Sequence, residues 1–130
     1  MNCIDSDLII AYLKGDGKAK RSMDSIESKG YVYVSTISVF EVTYTTKGLS
    51  EKKERILENF IDTLKVLDLD IESAKIAGRI GTDLAKKGEM IHPMDLLIGA
   101  ICKKHRMNIV TSNMKHFSKI SGLKVVDWTA

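Results

Sequence analysis

The chain lacks most of the features that would place it quickly in a broad class. One proline in 130 residues, no low-complexity tract and 44% apolar residues argue for a folded domain. There are only two cysteines, Cys3 and Cys102. Both sit in apolar runs without metal-ligand spacing, so they read as reduced core side chains. No apolar run is long enough to span a bilayer, and the opening residues lack the basic leader of a secretory signal. We therefore expect a cytoplasmic protein with no membrane association. A net charge of +3 and a pI near 8.8 fall below the strongly basic balance that by itself argues for nucleic acid. There is no Walker loop and no GxGxxG, so nucleotide-dependent chemistry is unsupported. The histidines, His92, His105 and His116, are scattered, and none adjoins a convincing Ser or Cys nucleophile.

What is present alternates. The length suits a single domain, residues 1–130. The opening residues to Ile4 read as a buried strand, and Ser6 begins a helix to Lys14 that Gly15-Asp16-Gly17 breaks. A second helix runs from Lys18 to Lys29 and stops at Gly30, and Tyr31–Ser35 is a β-branched and aromatic strand. Thr36 suits the cap of a helix to Lys47, and Ser50 the cap of a helix to Thr63. Val66, Leu67 and Leu69 suggest a short strand, followed by a helix from Ile71 to Lys87 with the stripe Ala74, Ala77, Ile80, Leu84. An apolar helix spans Met94 to His105. Then come the strand Asn108–Thr111, a turn or short helix over Ser112–Ser118, and the strand Lys124–Asp127. The expected fold is α/β, a three-layer sandwich whose mostly parallel central sheet is flanked by helices, with ligands bound at the carboxyl ends of the strands.

Three acids stand out because each sits in apolar surroundings. Asp5 follows Met1-Asn2-Cys3-Ile4, Glu41 follows Ile37, Val39 and Phe40, and Asp95 leads the run Leu96–Cys102. No Arg or Lys accompanies them, and unpaired buried charge is costly. A divalent cation with a preference for hard oxygen ligands, Mg²⁺ or Mn²⁺, would hold them, which points to metal-assisted hydrolysis. Glu41 shares a helical face with Ile37, Phe40 and Tyr44, so the face that buries Phe40 should turn Glu41 inward. Each acid alone has an ordinary explanation. Asp5 also suits a helix cap, Asp95 the positive end of its helix dipole, and Glu41 a pairing with a distant lysine.

The blocks Ile4–Leu13, Thr36–Val42, His92–Ala100 and Val110–Phe117, in that order, resemble those of a PIN domain. The likeness is to the VapC-type toxin ribonucleases of type II toxin–antitoxin pairs, and it extends through Gly122–Trp128. The resemblance implies a Mg²⁺- or Mn²⁺-dependent endoribonuclease acting on RNA, a homodimer, and a cognate antitoxin that blocks the metal site. It carries the three family acids onto Asp5, Glu41 and Asp95 and the fourth polar position onto Asn113, whose neutral oxygen adds no charge. Asp7 fits the Asp-x-Asp opening, and the alternatives for it are an approach to the pocket edge or, the simpler role, capping or exposure.

In that frame Asp5 and Asp95 hold the metal. Glu41 completes the shell or acts as base, and Asn113 positions water. Ser6 and Thr111 are candidates for supporting hydrogen bonds, with ordinary turn chemistry the preferred reading of Ser6. His92 reads as an exposed loop residue. Lys14, Lys18, Lys20 and Arg21, like Lys103, Lys104 and Arg106, read as solvated faces, and Tyr31, Tyr33 and Trp128 as core or interface side chains. Thr43–Thr46 and the helix carrying Phe60 are candidate dimer or antitoxin surfaces. The rival functions are a PIN-like nuclease in RNA maturation or DNA processing, and a non-catalytic RNA- or protein-binding module with a decayed site.

Overall fold

A computed structural model describes residues 1–130. The chain runs β1 (Asn2–Ile4), α1 (Ser6–Leu13), α2 (Gly17–Ser28), β2 (Val32–Ser35), α3 (Thr36–Thr45) and α4 (Glu51–Asp62). It continues through β3 (Lys65–Leu67), α5 (Ile71–Lys86), α6 (Pro93–Lys104), β4 (Asn108–Thr111), α7 (Met114–Phe117) and β5 (Val125–Asp127). All five strands are parallel, in the order β3-β2-β1-β4-β5. The expectation of a mostly parallel sheet is thus met by one with no antiparallel strand. The chain builds outward from β1 through β2 to β3, then returns to pair β4 on the other side of β1. The reversal creates a crevice at the carboxyl ends of β1 and β4.

Strand alternation separates two cores. Ile4, Val34 and Val110 pack with Leu8, Met23, Val42 and Leu57 beneath α1 to α4. Their neighbours Cys3 and Ile109 pack with Leu84, Ile98, Cys102 and Phe117 beneath α5 to α7. Both cysteines are free and fully buried, as their setting in the sequence implied. Helix α6 is the most enclosed, with Ile98, Gly99, Ala100, Ile101 and Cys102 all buried. A side chain at Gly99 would run into Ile120 Cδ1, so glycine there permits close contact with the segment after α7. Gly48 and Gly88, with φ of 86° and 68°, follow α3 and α5 in the left-handed region that favours glycine.

Three local expectations need correcting. Ser35, not Thr36, caps α3: its Oγ accepts from Ser38 N at 3.0 Å. The Thr36 hydroxyl instead accepts from Leu69 N at 3.2 Å and ties the chain after β3 to α3. The buried stripe of α5 begins at Ser73, not Ala74, and continues through Ala77 and Leu84. Tyr31 is no core residue, being 70% exposed. No helix is long and apolar enough to cross a membrane.

Candidate active site

The crevice predicted by the strand order is a cleft of about 330 Å³ whose eight lining residues include no apolar side chain. Asp5 lies at the end of β1. Its backbone N–H donates to Val110 O at 2.9 Å, which seats it against β4. It is also the N-cap of α1, accepting from Ser6 N at 2.8 Å through Oδ1. The capping role and the site role therefore coexist in one carboxylate, because Oδ2 accepts from Thr111 Oγ1 at 2.7 Å. Asp5 is only 5% exposed. Burial first, and then the neighbouring Asp7 carboxylate, push its pKa from 3.8 to about 7 against the pull of its hydrogen bonds to Thr111 and Ser6.

Asp95 occupies the first turn of α6, behind the N-cap His92 and Pro93. His92 is exposed in the loop, as expected, and in addition its Nδ1 accepts from Met94 N at 3.1 Å and it lines the cleft. Asp95 Oδ2 receives Asn113 Nδ2 at 3.0 Å and His116 Nδ1 at 2.6 Å. Asn113 and His116 stand at the N-cap and the third residue of the short helix α7, so a single turn delivers both to one oxygen.

Glu41 reaches the cleft, but not for the reason its sequence setting suggested. Phe40 and Tyr44 are 52% and 60% exposed and stack on each other at 5.9 Å. The buried side of α3 is defined by Ser38 and Val42, and Glu41 emerges at its margin. Ser6 Oγ donates to Glu41 Oε1 at 3.2 Å, which gives Ser6 a role beyond turn chemistry. Burial raises the Glu41 pKa. The Ser6 hydrogen bond opposes that rise, and the Asp95 charge adds to it.

Asp7 departs most from its expected capping or exposed role. Its Oδ2 accepts from Ser112 N at 2.7 Å and from the Ser112 hydroxyl, with Thr111 Oγ1 at 3.4 Å. Its Oδ1 accepts from Trp128 Nε1 at 3.2 Å. With both oxygens engaged, Asp7 fastens the β4 end and the chain after β5 to α1. Sequence reasoning missed this, and the role of His116, because the partners are distant in sequence and no local pattern marks them.

The structure thus brings Asp5, Glu41, Asp95 and Asn113 to one cleft, with Asp7, His92 and His116 on its walls. No lysine or arginine lines it, and two of its carboxylates are raised by burial and mutual repulsion. Such an oxygen-rich, uncompensated donor set fits a hard divalent cation. No three acidic, histidine or cysteine side chains close into a complete ligand set.

Residues 3–123 match the family described as the PIN domain. The tRNA(fMet)-specific endonuclease VapC of Shigella flexneri is 26% identical over 128 residues, covering 97% of this chain and 96% of the relative. The tRNA(fMet)-specific endonuclease VapC of Salmonella typhimurium is 34% identical over 97 residues, covering 73% and 74% of the two chains. Among solved structures, the DNA-bound VapBC of Salmonella typhimurium superposes with a TM-score of 0.86 at 27% identity, covering 98% of this chain and 97% of that one.

Proposed function

The chain belongs to the PIN-domain family and, within it, to the VapC group, and from that premise we propose that it is a metal-dependent endoribonuclease, the toxin of a toxin–antitoxin pair. The observation that carries the reading is the cleft itself, in which Asp5, Glu41 and Asp95 converge with no lysine or arginine among them. The relatives named as tRNA endonucleases support RNA as substrate. The VapBC assembly that the fold resembles supports a cognate antitoxin as partner. A homodimer is proposed on the same family ground.

Asp5 and Asp95 would hold Mg²⁺ or Mn²⁺. The chemistry such an ion supplies is charge neutralisation at the phosphate and acidification of water. Asn113 and His116 fix Asp95 by engaging Oδ2, which leaves Oδ1 for the cleft. Asp5 is fixed differently, with the Ser6 amide on Oδ1 and Thr111 on Oδ2, so each oxygen keeps one lone pair. Glu41 is held at Oε1 by Ser6, so its other oxygen is the proton acceptor for attacking water, and its raised pKa makes it the stronger base for that task. Asp7 is left out of this chemistry because its Oδ2 is taken up by Ser112 and Thr111 and its Oδ1 is turned to Trp128 Nε1.

The test is cleavage of a mixed RNA pool by the purified protein with Mg²⁺ or Mn²⁺, beside Asp95→Asn. Cleavage that requires the ion and disappears in the variant supports the proposal. Equal cleavage by both proteins would sink it.

A further inference from the structure

A second groove, of about 450 Å³, is linked to the cleft through the contact between Trp128 and Asp7. The indole lines the groove while its Nε1–H donates to Asp7, and Asp7 lines the cleft. The floor is the sheet face of β4 and β5. Val110 and Val126 are paired in register there, and Val126 is left 36% exposed.

Helix α2 forms one bank. Positions 18, 21, 22, 25 and 29 fall on one helical face and carry Lys18, Arg21, Ser22, Ser25 and Lys29, all on the groove or its shallow extension past Trp128. Both acids within the helix, Asp24 and Glu27, lie off this face, and Asp24 is paired with Lys20 at 3.6 Å. Lys124 stands on the other bank. Arg21, Lys29 and Lys124 form no salt bridge within the protein. The one acidic side chain in the lining, Asp127, accepts from Thr129 N and Oγ1 through Oδ1 at 2.9 and 2.6 Å and is outnumbered by the groove's cations.

Two aromatic rings flank these cations. Trp128 is half-buried and its N–H is pinned, so the ring is ordered before any ligand arrives. Tyr31 is largely exposed, with Lys65 Nζ 4.8 Å from its ring centre. Unpaired cations along a groove with aromatic side chains are what single-stranded nucleic acid uses, charge for the phosphates and π faces for the bases. An acidic peptide would match the charge but leave the rings without a counterpart.

We propose that the groove between α2 and the β4–β5 edge binds single-stranded RNA, receiving the strand that continues past the cleavage cleft. The identity of the polyanion rests on the ribonuclease reading above, whereas the site rests on the groove.

The test is the affinity of a fluorescent, unstructured oligouridine for the full chain in EDTA, measured by anisotropy. Lys29→Glu with Lys124→Glu should weaken binding roughly tenfold or more, while Lys86→Glu with Lys87→Glu on α5 should change it less than about twofold. The neutral pair Lys29→Gln with Lys124→Gln should reduce the slope of log affinity against log salt by about 1.4, about 0.7 per lost phosphate contact. Unchanged thermal melts establish that the variants fold. Three results would overturn the proposal: groove variants that bind as wild type does, equal losses in both reversed pairs, or polyglutamate that competes as well as oligouridine. Cleavage is scored separately. A groove-dependent affinity without any RNA cleavage would remove the nuclease reading alone, and cleavage with no groove dependence would remove this proposal alone.

Discussion

His116 Nδ1 stands 2.6 Å from Asp95 Oδ2, and Asn113 Nδ2 stands 3.0 Å from the same oxygen. Two donors on one carboxylate oxygen set the direction of the other. Asp95 is thereby oriented by α7 as well as by its own helix, and the site depends on a contact between segments 18 and 21 residues apart.

His116→Ala should lower metal-activated cleavage by about tenfold to a hundredfold, the usual effect of removing a group that orients a metal ligand. His116 is one-third exposed, so its loss should move the melting temperature little. The discriminating readout is the Mn²⁺ concentration for half-maximal activity, which should rise in His116→Ala and recover in part in His116→Gln. An unchanged metal requirement would show that the contact does not position Asp95.

Asp5 links the site to pH. Its folded pKa of about 7 lies above the 3.8 of an ordinary aspartate, so the folded state holds a proton that the unfolded state has released. Its contribution to stability is therefore complete below about pH 4 and is lost as pH rises through about 7. At about 1.4 kcal/mol per unit, the loss is at most about 4 kcal/mol. In EDTA, wild type should lose stability across that window more steeply than Asp5→Asn. Added Mg²⁺ should restore wild type at neutral pH and leave Asp5→Asn much less affected. Parallel pH profiles for the two proteins would refute the assignment.

The fold was legible in the sequence because its signals are local. The caps Ser50 and Asp70, the breaks at Gly48 and Gly88, and the β-branched run before Ser35 each act within a few residues. The three acids were legible because apolar neighbours made them anomalous. Glu41 was placed correctly on a mistaken premise, since Phe40 proved to be exposed and periodicity alone does not say which apolar stripe faces inward. Asp7 and His116 were not legible. Their partners Trp128, Ser112 and Asp95 are brought to them only by sheet order, and a parallel sheet pairs residues far apart in sequence.

Asp7→Ala tests the second of these long-range contacts. It leaves the part-buried Trp128 indole N–H without its acceptor, at a cost of about 1–3 kcal/mol, while the exposed Ser112 amide turns to water. Trp128 is the only tryptophan, so its fluorescence reports directly on that corner. The expected outcome is a shifted, more quenchable emission and faster amide exchange around Thr111–Asn113, before any loss of global fold. Cleavage should fall less than in Asp95→Asn, because Asp7 acts through the scaffold. A loss of activity as complete as that of Asp95→Asn, with Trp128 emission unchanged, would instead put Asp7 in direct contact with substrate or metal.

Two glycines should respond in opposite ways to the same substitution. Gly78 lies inside α5 with open space where a Cβ would go, so Gly78→Ala should stabilise by up to about 1 kcal/mol through helix propensity. Gly99 also lies inside a helix, yet its Cβ would meet Ile120 in the packed core. Overpacking costs of about 1–3 kcal/mol should outweigh propensity there. Because α6 carries Asp95 four residues earlier, the displaced helix should also weaken metal activation. Urea unfolding midpoints at matched protein concentration give both signs, provided the slopes agree. Trimming the obstacle with Ile120→Val should recover part of the Gly99→Ala loss in stability and in metal response together. If the double variant is no better than Gly99→Ala alone, the close contact between α6 and Ile120 is not what the glycine serves.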